Sequence, residues 1–174
     1  MKKLLFTTLV LGFATSSLVF AENRISGGIG ASAAVNHYKI RDTYNTSYPF
    51  LIPTVDAEIG VKLNELLDLK LQGSMGVNIF SKEGQDVRFE ATPMLTAKVT
   101  DKLKLSSGMK FKHTIVPYFG ENNERVTANS KSIYAEARTK FNDKTDGYVG
   151  LSKSIDDQGF DVKLGVMRSL GTAQ

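Results

Sequence analysis

Residues 53–80 read PTVDAEIGVKLNELLDLKLQGSMGVNIF, and their spacing decides the fold. Up to Leu63 the odd positions Val55, Ala57, Ile59, Val61 and Leu63 are apolar. The even positions Thr54, Asp56, Glu58, Gly60 and Lys62 are polar or small. The alternation breaks at Asn64-Glu65-Leu66-Leu67 and then resumes. Leu69, Leu71, Gly73, Met75, Val77 and Ile79 fall on one side, and Lys70, Gln72, Ser74, Gly76 and Asn78 on the other. Successive strand side chains point to opposite faces, so this stretch predicts a two-faced hairpin. A half-buried strand of a soluble protein runs about 5–6 residues. A tilted strand that crosses a bilayer needs about 9–11 residues with one unbroken apolar face, and this hairpin has that length.

The rest of the chain repeats the unit. Alternation predicts strands over 24–40, the two of the hairpin, 87–99, 103–116, 131–141, 145–155 and 160–170. The fold class is therefore all-β, an eight-stranded antiparallel up-and-down transmembrane barrel. Pro93 falls inside the fourth strand and cannot donate to the ladder, which predicts a bulge or a locally unpaired position. The connections alternate in kind. Residues 41–52, 81–86, 117–129 and 156–159 form one set, and 64–67, 101–102 and 142–144 form a uniformly tight second set. In a meander the two sets lie at opposite ends, and membrane barrels keep short turns on the periplasmic side.

The first 21 residues, MKKLLFTTLVLGFATSSLVFA, carry a basic head, a short apolar run and a small-residue site. They read as a secretory signal over 1–21 with cleavage between Ala21 and Glu22, leaving a barrel over 22–174. Of the 22 basic side chains, Lys2 and Lys3 leave with the signal, so a net charge of +4 becomes +2. That is too little to argue for a nucleic-acid partner. With no cysteine, the chain has no disulfide framework, thiolate nucleophile or zinc-thiolate site. Mean hydropathy near −0.15 does not oppose a membrane reading, because alternating strands average out.

The polar side of the strands tells which face is inside. It combines small residues such as Gly28, Gly60, Gly76, Gly150 and Ser152 with charges of both signs. Asp56, Glu58, Glu90, Glu136 and Asp161 stand against Arg88, Lys110, Lys112, Arg138 and Lys163. Eight strands enclose a lumen only just wide enough for side chains to fill. Buried charges must pair there, so Asp56, Glu58, Arg88, Glu90, Lys110, Lys112, Glu136 and Arg138 are expected as interior ion pairs, with glycines making room for the long cations. The apolar side carries Lys153 and Arg168 near strand ends, where a long side chain can snorkel. A secreted soluble barrel with an apolar ligand inside is the alternative, its charges then solvated.

With these features the chain resembles the small eight-stranded outer-membrane barrels, the OmpA-transmembrane/OmpX/Opa-like group. Lys163, Gly165 and Leu170 match the terminal signal such barrels carry, while Arg168 and the overhang from Gly171 to Gln174 depart from it. The resemblance implies a Gram-negative outer-membrane location after export through the periplasm. It also implies partners in membrane lipid and the barrel-insertion machinery, a monomer, and a structural or surface-interaction role. A cell-surface ligand would be met through loops 41–52 and 117–129.

Chemistry is sparse. His37 and His113 fall on the outward side near the long-loop rim, with neighbours Val55, Ala57, Phe89 and Ile133 that cannot relay a proton. That disfavours a lipid A-modifying enzyme. Asp56, Glu58 and Glu90 could form an acid/base set, but ringed by cations they read as an ion-pair plug. No metal spacing or phosphate loop occurs, so no enzyme activity, metal or cofactor is expected. Tyr38 and Phe50 read as an aromatic girdle; Tyr44, Tyr48, Tyr118 and Phe119 fit a girdle or an adhesive loop tip equally.

Overall fold

The computed structural model describes residues 24–37, 50–78, 86–119, 124–156 and 159–172. The proposed signal and its Ala21–Glu22 junction lie outside them. Eight strands follow in chain order: β1 Ile25–His37, β2 Phe50–Lys62, β3 Leu67–Asn78, β4 Asp86–Lys98, β5 Leu103–Phe119, β6 Glu124–Asn142, β7 Thr145–Ser154 and β8 Phe160–Thr172. Each pairs antiparallel with the next, and β8 pairs with β1 to close the barrel. Closure leaves no sheet edge around the wall.

The two periods of the sequence become the two surfaces. Val55, Ile59, Leu69, Met75, Leu95, Leu151 and Leu164 are exposed outside, and Asp56, Gln72, Glu90, Thr96, Lys110, Glu136 and Lys163 are buried inside. This is the reverse of a soluble barrel, where the apolar side would line a cavity. Lys153 and Arg168 are exposed on the outward face, and so is Lys131, opposite Phe111.

Side chains close the three tight turns. The Asn64 Oδ1 accepts from the Leu66 and Leu67 amides at 2.8 and 2.9 Å. The Thr100 Oγ1 accepts from those of Lys102 and Leu103 at 3.2 and 3.0 Å, and the Asn142 Oδ1 from that of Lys144 at 3.0 Å. Asn and Thr at these positions imitate a backbone turn locally, which keeps the links short. At the same end the β1–β8 ladder shifts register between Gly27 and Gly28, opposite Gly171. Gly171 has φ +96°, a left-handed conformation that glycine adopts without steric cost.

Two expectations change, and the one at Pro93 resolves to one of its two forms. Residues 117–129 are not one long loop: β5 runs to Phe119 and β6 starts at Glu124, with Val116 opposite Val126 and Phe119 opposite Glu124. The polar composition there hid an alternation that cross-strand pairing uses. Residues 50–52 belong to β2 instead of the preceding loop, with Leu51 opposite Val35 and Pro53 opposite Ala33. Pro93 makes no bulge but is locally unpaired, the other form of the expectation: the β4–β5 ladder pairs neither Thr92 nor Pro93. The β4–β5 register is the same on either side of it, Ala91 opposite Phe111 and Met94 opposite Gly108. Pro93 also keeps its place opposite Leu71 on β3. The strand tolerates the missing N–H because only one of its two ladders is touched.

Candidate functional site

The lumen is the candidate site, and its residues come from the even positions of β1–β7 and the odd positions of β8. Near the short-turn end, Arg138 of β6 holds two carboxylates. Its Nη1 donates to Glu58 Oε1 at 2.8 Å, and its Nη2 lies 2.8 Å from Glu136 Oε1. Lys70 Nζ reaches the same Glu58 oxygen at 2.9 Å. Tyr134 donates its hydroxyl to Glu136 Oε2 at 2.8 Å.

A second cluster lies toward the long-loop end. Lys163 Nζ donates to Asp56 Oδ1 and to Ser74 Oγ, both at 2.7 Å, and stands 3.7 Å from Glu90. Asp56 also accepts from Tyr148 at 2.7 Å and from Ser32 at 2.6 Å, and Ser32 contacts Thr54. Lys110 bridges Glu90 and Asp161 at 3.8 Å each. Lys112 is 3.6 Å from Asp161, and Arg88 is 3.9 Å from Glu90. Opposite charges thus sit side by side in a low-dielectric lumen, where each would be costly alone.

The structure places all eight interior residues named from sequence along the lumen; Arg138–Glu58 and Lys163–Asp56 join strands far apart in the chain, while Arg88–Glu90 and Arg138–Glu136 lie within one strand. Three members were not singled out. Tyr134 and Tyr148 are almost fully buried and carry the hydroxyls above, and Lys70 completes the Glu58 pair. Their even parity on β6, β7 and β3 is the signal that places them. Lys110 lies over the Tyr134 ring at 5.1 Å and Arg138 over the Tyr148 ring at 5.5 Å, within the range of cation–π attraction. Met94 and Met167 are also buried on the inward side.

Several glycines serve these rings and methionines; among the described residues only Gly60 makes room for a long cation. A Cβ at Gly150 would meet the Tyr134 ring and hydroxyl, and one at Gly165 would lie 2.6 Å from Tyr148 Cζ. One at Gly28 would press on Met167, while Gly60 accommodates Lys70. Gly150→Val should therefore lower the unfolding free energy of the detergent-folded protein, read from its urea midpoint, by about 1–3 kcal/mol, the range for overpacking. Loss of the Tyr134 near-ultraviolet signal would accompany it, and an unchanged midpoint and spectrum would contradict this packing.

The ends differ from the lumen. Lys98 pairs with Asp101 at 2.7 Å and Lys140 with Asp143 at 2.8 Å. These hydrogen bonds and charges hold the Asp101 and Asp143 carboxyls below the usual range. Both are solvent-exposed, so they carry no argument about stability. His113 bonds Asn129 through Nδ1 at 2.7 Å on the wall. The side chains of His37, Phe50, Tyr118 and Phe119, and residues Tyr38, Tyr44 and Tyr48, lie outside the described part. No cluster of His, Cys, Asp or Glu among the described residues could hold a metal ion.

No family model and no curated protein matches the sequence. Solved structures do match. The attachment invasion locus protein Ail of Yersinia pestis aligns over 86% of this chain and 99% of its own at 13% identity, with a TM-score of 0.57. Ail in complex with the heparin analogue sucrose octasulfate aligns over 84% and 98% at 11% identity, TM-score 0.59. Neisserial surface protein A aligns over 83% and 95% at 12% identity, TM-score 0.51. Strand number, closure and the inversion of polarity agree with these likenesses: the chain has the fold of the small eight-stranded outer-membrane barrels.

Proposed function

We propose that the mature chain is an integral outer-membrane barrel with a plugged lumen and a surface-interaction role at its long-loop end. The observation that carries the membrane location is the inverted polarity, since an apolar outer wall around a charged interior is stable in lipid and exposed in water. The paired lumen supports a plug: Arg138, Lys163, Lys110 and their carboxylates occupy the cross-section an open pore would need.

The surface role rests on the β5–β6 ribbon. Its pairing continues to Phe119 and Glu124, whereas β6 last pairs with β7 at Ser132 opposite Ser154. The ribbon therefore rises past its neighbours at the end opposite the tight turns. Presenting a ribbon beyond the wall suits contact with another surface, and Ail, an attachment invasion locus protein, shares the fold. A ligand for residues 41–52 belongs to the same proposal.

Expression with fractionation tests the reading. The mature protein should begin at Glu22, need detergent for extraction, and migrate faster unheated than boiled. On intact cells, external protease should cut within 117–129 and spare 64–67 and 101–102. A freely soluble, heat-insensitive protein would refute the location, and first cleavage at the tight turns would invert the topology.

A further inference from the structure

The short-turn mouth of the lumen opens into a cavity of about 410 Å³. Small-molecule sites span about 300–1,000 Å³. Its lining carries nine lysine and arginine side chains against six carboxylates. The turn pairs Lys98–Asp101 and Lys140–Asp143 are satisfied at the rim. The imbalance is sharpest deeper in, at Lys104 of β5.

Lys104 lies directly opposite Lys98 on β4 and directly opposite Arg138 on β6. Like charges facing one another across adjacent strands are destabilising. Each neighbour has turned to its own carboxylate: Lys98 to Asp101, and Arg138 to Glu58 and Glu136. Lys70 shares Glu58 with Arg138 through the same Oε1 atom. Three cations, Lys70, Lys104 and Arg138, thus share two carboxylates, and Lys104 has no ion-pair partner among the described residues. Glu58 also lines the cavity. Its side chain is 8% exposed, yet its Oε2 has no hydrogen-bond partner among the described residues. A buried acceptor in that state calls for a donor.

We infer that this mouth binds a small phosphorylated compound bearing hydroxyl groups, its oxyanion at Lys104 and a hydroxyl donating to Glu58 Oε2. The anion completes the charge of the Lys70–Lys104–Arg138 cluster. The hydroxyl supplies the donor that Glu58 lacks. The site faces the end opposite the β5–β6 ribbon and does not depend on the surface role. The same chemistry is offered by a free phosphorylated polyol and by a phosphatidylglycerol headgroup.

Titration calorimetry of the refolded barrel with glycerol 3-phosphate tests it. In neutral micelles at low salt, glycerol 3-phosphate should bind and glycerol should not. Lys104→Gln should weaken binding at least tenfold, Lys104→Arg should retain it, and Lys131→Gln, outside the wall, should leave it unchanged. Heat-shifted migration verifies that each variant is folded. In nanodiscs, weaker probe binding with phosphatidylglycerol than with phosphatidylcholine identifies the headgroup as occupant. Equal binding identifies the free compound, and either result upholds the site. Absence of binding in micelles, or a folded Lys104→Gln variant within twofold of the parent, overturns it.

Discussion

Arg138→Ala should lower the stability of the folded barrel by about 3–5 kcal/mol, the cost of removing one partner from a buried ion pair. The guanidinium is 2% exposed and sits between Glu58 and Glu136 at 2.8 Å from each. Glu58 keeps Lys70 after the truncation, but among the described residues Glu136 keeps only the Tyr134 hydroxyl. An ionised carboxylate is then left in the lumen with a neutral donor. The measurement is the urea midpoint of the protein folded in micelles or bilayers. Arg138→Lys restores the charge but cannot span both carboxylates, so its loss should be smaller. Lys62→Ala, at the exposed rim, should change stability by no more than about 0.5 kcal/mol. If Arg138→Ala lost only the roughly 0–1 kcal/mol of a solvated pair, the lumen would be wet and the plug refuted.

The second large effect concerns the outer wall. Ala57 is exposed near the middle of β2, flanked across the ladders by Ile29 and Gly73. Ala57→Arg should cost about 2–4 kcal/mol in a bilayer, the range for arginine on the lipid face near the midplane. Ala57→Leu should be close to neutral, because it adds apolar surface to an apolar solvent. Arginine at the exposed Leu63, where the strand has ended, can reach the interface and should cost about 0–1 kcal/mol. The depth dependence is the readout. A flat profile across the two positions would mean that the wall does not face hydrocarbon, and the soluble-barrel alternative would return.

Much of this barrel is legible in the sequence because a strand has period two. Parity alone assigns Asp56, Glu90, Lys110 and Arg138 to one face and Val55, Phe89, Met109 and Ala137 to the other. Opposite placement of small residues and charges then says which face is inside. Strand count follows from counting alternating runs, and the tight turns from the breaks at 64–67, 101–102 and 142–144. Parity is silent on height along the barrel axis, which depends on tilt, stagger and closure. That is why the ends of β5 and β6 were missed. Polar residues at 117–129 look like loop until a partner strand at matching register takes up their backbone groups.

The same reason separates the set of lumen residues from their pairing. Sequence determined that acids and bases share the interior. Only the closed tertiary structure decided that Arg138 meets Glu58, 80 residues away, and that Lys163 meets Asp56, 107 residues away across the β1–β8 seam. Two tyrosines entered the network because Gly150 and Gly165 leave room for their rings at that height. Lys104 remained with like charges on both sides because register, which no single strand contains, put it there.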